Sequence, residues 1–261
     1  MLRSMYSGIS GMKGFQNKLD VIGNNIANVN TFGFKKGRVT FKDMVSQQIS
    51  GASGANNGLG GTNPKQVGLG GQISSIDTIH TQGSLQTTAR PLDLSISGDG
   101  FFVLSNGTDT LYTRSGNFYL DAEGNVVNSD GYYLQGEGGG NITIPPEAQS
   151  FSIGADGSIT AVGATVDGGP IQLAKFPNPD GLEKAGGNMY RESSNSGEPE
   201  LGAPGGETGA GKIVSGTLEM SNVDLSEEFT EMIVAQRGFQ ANTRIITTSD
   251  EILQELVNLK R

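Results

Sequence analysis

The chain is 261 residues long, with 41 glycines, no cysteine, no tryptophan, one histidine and 34% apolar residues, an inventory that excludes a disulfide scaffold, a thiolate metal site and an aromatic cofactor cage. A formal net charge of −9 argues against a general nucleic-acid binder, because phosphate affinity comes from Lys and Arg. No stretch approaches the ~18 apolar residues of a membrane span, and Lys13, Lys18 and Asp20 interrupt any leader-like apolar run, so no membrane insertion and no cleaved signal peptide are expected.

In chain order, the opening segment carries a heptad. Leu2, Met5, Ile9, Met12, Leu19 and Ile26 fall on alternating three- and four-residue steps, with Gln16 and Gly23 in the gaps, which predicts a helix. Gly8, Gly11, Gly14 and Gly23 each cost it about 1 kcal/mol against Ala, so it is expected to form only when packed. The asparagines of Asn24 to Asn30 tolerate left-handed backbone and can stop the helix, and Gly33 supplies a second permissive turn position. Phe32 and Phe34 then become anchors. Ser50 to Gly61 is rich in Gly, Ser and Asn without periodicity and reads as a flexible or extended loop.

The middle changes to period two. Leu92–Ile96, Phe101–Leu104, Asn117–Leu120, Asn125–Val127, Tyr132–Leu134, Ile142–Ile144, Phe151–Ile153, Ser158–Thr160 and Ile171–Leu173 read as short strands. They are separated by turn signals such as Asp99-Gly100, Glu123-Gly124-Asn125 and Asp130-Gly131. Ser193 to Gly211 reads as a second loop.

The closing segment is the cleanest helix. Leu225, Met232, Phe239, Ile246 and Leu253 repeat every seven residues, and the companion seam reads Phe229, Gln236, Thr243, Asp250 and Val257. Ile245, Ile252, Leu256 and Leu259 widen the apolar arc, so this helix needs several neighbours. Asp224 or Ser226 can cap it, and Glu227, Glu228 and Glu231 suit the positive end of its dipole. Residues 1–40 hold six basic side chains against Asp20 alone, whereas 219–261 hold eight acids and four bases. Two patterned ends of opposite charge read as partners.

No catalytic constellation assembles. His80 has no carboxylate or nucleophile at recognisable spacing and reads as a polar strand or loop residue. The clustered glycines of 58–71 lack a phosphate-loop Lys and an adjoining helix, and Asp121, Glu123 and Asn125 read as a hairpin turn rather than the start of a calcium loop. Arg237, with no acid four residues on, reads as an intersubunit contact. No cofactor and no metal are expected.

Two segments carry a resemblance. Ile22-Gly-Asn-Asn-Ile-Ala-Asn-Val-Asn-Thr-Phe-Gly-Phe-Lys35 resembles the N-terminal signature of bacterial flagellar rod and hook proteins. Leu218-Glu-Met-Ser-Asn-Val-Asp-Leu-Ser-Glu-Glu-Phe, followed by Met232-Ile-Val-Ala-Gln-Arg-Gly-Phe-Gln-Ala-Asn, is similar to their C-terminal one. Asp93–Phe102, Tyr112–Phe118 and Leu120-Asp extend the likeness inward. It implies an α+β fold: N- and C-terminal helices pairing as a coiled-coil-like domain (1–32 plus 222–261) that lines a tube, an extended connecting segment (33–75) with a flexible loop, and a central antiparallel all-β domain (76–221). It also implies a structural axial subunit, exported without leader cleavage through the flagellar secretion apparatus and stacked head to tail with itself in the basal body or the extracellular hook. Adjoining rod and hook–filament junction proteins and the hook cap are the further partners implied.

The assembly interface is expected at Leu2, Met5, Ile9, Met12, Leu19, Ile22, Ile26, Phe32, Phe34, Leu225, Phe229, Met232, Arg237, Phe239, Ile246, Ile252, Leu253 and Leu256. Within the family, the stretches Met232–Arg237 and Ile252–Leu259 are most similar to hook proteins, so a short hook protein is expected. The alternative is a distal rod protein forming a rigid drive shaft, to which the insertion near residues 50–63 points. A surface carbohydrate-binding β module and a secreted hydrolase are readings from other classes.

Overall fold

A computed structural model describes residues 2–54, 60–206 and 208–259. The chain divides into two compact units, one formed by Met1–Ile26, Gly37–Asp77 and Asp224–Arg261 and the other by Ala27–Lys36 and Thr78–Val223. The Leu2 side chain and Leu59, the one large apolar residue of the 50–63 loop, lie outside the described residues.

In the first unit, α1 (Leu2–Ala27) and α2 (Leu225–Leu259) are joined by two ribbons. β1 (Gly37–Asp43) pairs with β4 (Gly71–Thr78), and β2 (Ser46–Ser50) pairs with β3 (Lys65–Gly68). With 35 residues at 1.5 Å each, α2 runs about 52 Å. Its start is capped as the sequence suggested, the Ser226 N–H donating to Asp224 Oδ1 at 2.8 Å. α1 stops at Ala27, where Thr31 N–H donates to the Asn28 carbonyl and the Thr31 hydroxyl donates to the Asn28 side chain.

The loop expected at 50–61 is anchored at its base, where Ser50 closes β2 opposite Lys65 and Ser53 bridges Thr62, while residues 55–59 lie outside the described residues. Polar alternation without a buried face hid that pairing: every residue from 41 to 54 is exposed.

The second unit is all β. Its strands are β5 (Leu85–Thr87), β6 (Leu94–Ser97), β7 (Phe101–Ser105), β8 (Thr110–Thr113), β9 (Tyr119–Leu120), β10 (Val126–Val127), β11 (Tyr133–Leu134), β12 (Ser150–Ile153), β13 (Ile159–Val162), β14 (Leu173–Lys175), β15 (Glu183–Gly186), β16 (Met189–Arg191), β17 (Glu200–Gly202), β18 (Lys212–Ser215) and β19 (Thr217–Glu219). The main antiparallel sheet runs β15-β16-β8-β7-β11-β10-β9, with β14 on β7 and β17 on β14. Separate pairs are β12 with β13, β6 with β18 and β5 with β19.

β7 is buried on both faces, and its alternation sorts two cores. Phe102 and Leu104 join Leu94, Ile96, Phe118, Leu134 and Ile171, while Phe101 and Val103 join Tyr112, Phe176 and Tyr190. The second loop read from sequence is corrected, because it contains β17, whose Leu201 pairs with Ala174 of β14. Conversely, Ile142–Ile144 is no strand. Thr143 makes only bridges, to Asn125 and Asp167, and its neighbours Ile142 and Ile144 are buried from that bridged segment. Asp121 to Asn125 is a hairpin turn, with Gly124 at φ +85°.

Candidate functional site

Two groups of residues concentrate the unusual chemistry. The first is the seam between α1 and α2. A Cβ built at Gly8 would meet Ile246 at 3.4 Å, one at Gly11 would meet the Asn242 amide at 2.9 Å, and one at Gly238 would meet the Phe15 ring at 2.6 Å. Lys18 pairs with Glu231, and Asn25 donates to Glu228 at 3.1 Å. Partners climb one helix as they descend the other, so the pair is antiparallel.

These contacts correct the seam. On α1 the line is Gly8, Gly11, Phe15, Lys18, Ile22 and Asn25, and on α2 it is Glu228, Glu231, Ala235, Gly238, Asn242 and Ser249. Both lines lie one residue before the apolar heptads. Ala235, Glu228, Ser249, Ile22 and Asn25 are buried, whereas the proposed companion residues Gln236, Thr243, Asp250 and Val257 are exposed and Phe229 is 50% exposed. The physical reason is close approach: small residues let two helix backbones come together, and large apolar ones hold them apart. The signal was present in the glycines, since a Gly inside a helical pattern that costs ~1 kcal/mol has a packing reason.

One residue further along each helix is a turn of about 100°, and in an antiparallel pair that turn carries both apolar heptads to the same side. The Thr243 hydroxyl reaches Met12 sulfur at 3.3 Å on that side. Met5, Ile9, Met12, Leu19, Ile26, Met232, Phe239, Ile246 and Leu253 are half-buried there, with Leu225 and Phe229 more open. The opposite side of α1 faces the ribbon through Ser7, Ser10, Gly14 and Val21, which meet Gly70, Phe41 and Gly37. Ile252 and Leu256, near the end of α2, are exposed, as is Arg237.

The second group is a buried clasp inside the β unit. Glu219 of β19 accepts from Lys35 Nζ at 2.6 Å and from Arg114 Nε at 2.6 Å, and all three residues are almost fully buried. Lys35 also donates to the Thr81 carbonyl, and the Arg114 guanidinium donates to the carbonyls of Ile96, Gly98 and Gly100. Burial alone would raise the Glu219 pKa, but the two cations hold it below the usual carboxylate range. For Lys35 the balance is reversed: burial, outweighing a carboxylate shared with Arg114, lowers its pKa.

The same clasp holds the segment after α1. Gly33, at φ +69°, donates to the Glu219 carbonyl at 2.8 Å, and a Cβ there would sit 2.6 Å from Ser115 N. Lys36 N–H donates to Asn222 Oδ1 at 2.8 Å, and Asn222 Nδ2 donates to the Ile79 carbonyl at 2.8 Å. Phe34 is buried with Lys184 over its ring, and half-buried Phe32 accepts from Asn188 through its carbonyl. The two signature segments of the sequence therefore meet in space, Gly33–Lys36 against Glu219–Asn222.

His80 lies in the irregular segment that follows β4, as the loop reading allowed, but its ring has aromatic neighbours. Its ring packs edge-on against Phe101 and Tyr190 at 5.6 and 5.5 Å. Burial, with nearby Lys35, Lys184 and Arg114, lowers its pKa to about 4.

A helix seam, a half-open apolar face and a buried charge clasp are all packing features. Three family descriptions match: the D1 domain of flagellar hook protein FlgE/F/G at residues 95–161, the C-terminal region of basal body rod FlgEFG proteins at 214–259, and the flagella basal body rod protein at 5–35. The chain is 63% identical to the flagellar basal-body rod protein FlgG of Bacillus subtilis over 264 positions, covering all of both chains. It is 39% identical to FlgG of Borreliella burgdorferi over 271 positions and 33% identical to the hook protein FlgE of the same organism over 442, again covering all of each. The chain belongs to the flagellar hook and basal-body rod family, a structural axial component and not an enzyme.

Proposed function

We propose that this chain is a rod subunit of the flagellar axis, a piece of a stiff shaft built from copies of itself, rather than a hook subunit. The observation that carries the reading is collinearity. Its match to the Bacillus subtilis rod protein needs 264 positions, whereas its matches to two hook proteins open to 442 and 464. The hook expectation drawn from Met232–Arg237 and Ile252–Leu259 is set aside on that ground, since a short local likeness weighs less than an end-to-end one.

The ribbon of β2 and β3 supports the rod reading. It leaves Val45, Ile49 and Val67 bare, and an isolated two-stranded hairpin is marginal in water. Covered by a neighbouring copy, it would add stiffness between subunits. The shared apolar face of α1 and α2 is the surface on which copies stack, through heterologous contacts that do not close into a ring and so build an open helix. Phe239→Asp or Ile246→Asp on that face would bury an unpaired charge in every copy and abolish assembly.

Electron microscopy of tubes grown from purified protein tests the reading. Straight, rigid tubes are expected, and curved, bendable ones would return the chain to the hook class. Deleting Gly51 to Thr62 is expected to leave polymerisation intact and shorten the persistence length.

A further inference from the structure

Much of the seam that joins α1 to α2 is made of small residues. Gly8, Gly11, Ala235, Gly238 and Ser249 present little side chain, and sliding one helix by a heptad would leave every one of these positions still on the seam. Size supplies one constraint, the Phe15 ring seated over Gly238, and at the remaining small positions polar partners must fix the register.

Asn25 is the residue placed to do so. Both amide protons are used and the oxygen accepts once: Oδ1 accepts from Gly37 N–H at 2.9 Å, and Nδ2 donates to the Gly37 carbonyl at 2.9 Å and to Glu228 Oε2 at 3.1 Å. One side chain thus ties the end of α1, the first residue of β1 and the first turns of α2. Asn25 and Glu228 are 2% and 5% exposed, so any slide would strand a buried carboxylate and a buried amide without these partners. We propose that Asn25 is a register pin, a positioning residue whose pairing with Glu228 and both backbone groups of Gly37 selects one alignment of α1 against α2.

On α1 and α2, Lys18 is paired with Glu231, and Asp224 caps the start of α2. On the ribbon, Arg38 pairs with Asp77 at 3.4 Å. Glu228 is the charged group that the Asn25 amide touches.

The chain has no cysteine, so two introduced thiols are the only ones present. In the full-length protein, Gly8→Cys with Ile246→Cys reports the native register by intramolecular disulfide formation, and Gly8→Cys with Leu253→Cys reports a slide of one heptad. This readout is independent of tube formation, so its failure and the failure of the rod reading are distinguishable. In an Asn25→Asp background, two carboxylates face one another. The 8–246 link is expected to fall by about tenfold near pH 8 and to recover near pH 5, where one shared proton restores a donor. The lost yield is expected to reappear as the 8–253 link. Asn25→Asp combined with Glu228→Gln returns an amide donor to the pair but leaves the Gly37 carbonyl without one, and is expected to recover the 8–246 link in part, to a yield above that of Asn25→Asp near pH 8 and with little dependence on pH. An Asn25→Asp chain that links 8 to 246 at the parent yield near pH 8, or a double variant that does no better than Asn25→Asp there, would overturn the pin, as would absence of the 8–246 link in the parent.

Discussion

The two units solve the same problem with opposite materials. The β unit buries large side chains on both faces of β7, places a three-residue ion cluster inside its own scaffold and reads as a self-sufficient fold. The helical unit pairs its helices through glycine, alanine, serine and a few polar groups, and leaves its large apolar residues half-open beside the seam. A surface made that way is poor material for holding one chain together and good material for holding many. We propose that stability is concentrated in the β unit and association in the helical one.

The sharpest way to break this contrast is to attack the clasp. Glu219→Ala leaves Lys35 and Arg114 buried without their shared carboxylate and is expected to destabilise the β unit by about 3–5 kcal/mol in denaturant titration. Replacing all three residues by apolar ones of similar volume should cost far less, because the penalty comes from the orphaned charges. A small effect of Glu219→Ala would mean that the cluster is wetter than its burial indicates.

The second test uses pH. His80 has a folded pKa of about 4 against an ordinary 6.5, so the unfolded chain binds the proton more readily. The contribution of the neutral, packed imidazole is complete above pH 6.5 and declines as pH falls towards 4, by about 3 kcal/mol across that window. Below the ordinary carboxylate range, protonation of Glu219 removes further stability. His80→Phe should flatten the stability profile between pH 6.5 and 4, and a slope identical to that of the parent would exclude His80 as its source.

The helical unit offers a smaller effect. Gly238→Leu forces a side chain into the space of the Phe15 ring and is expected to cost about 1–3 kcal/mol. Hydrogen exchange should quicken along α1 and α2 while β7 and β8 keep their protection; loss of protection in both would show that the units do not melt separately. The smallest effect belongs to the ribbon. Deleting Gly51 to Thr62 should leave the unfolding free energy of the β unit within about 0.5 kcal/mol of the parent, since surface changes away from buried features rarely do more.

Much of the architecture was legible from spacing alone. Heptads announced two long helices, and Asp-Gly and Gly-Asn turn signals with alternating apolar residues announced an antiparallel middle, because local period and turn chemistry follow from backbone geometry. The two terminal signatures identified the family before any coordinate. Other features depended on where the chain goes in three dimensions. The helix seam lies one residue before the apolar pattern because pairing rewards close backbone approach, which hydrophobicity does not encode.

Phe15 and Gly238, or Asn25 and Glu228, are more than 200 positions apart, and nothing local says that one fits the other. Lys35, Arg114 and Glu219 look like solvated charges in a linear reading and become a buried cluster only when three distant segments converge. His80 likewise looked polar until folding set its ring against Phe101 and Tyr190. The sequence by itself determined which elements form and which family they belong to, since those follow from local period, turn chemistry and motif. Only the tertiary structure decided which faces those elements bury, because burial depends on partners that lie far away along the chain.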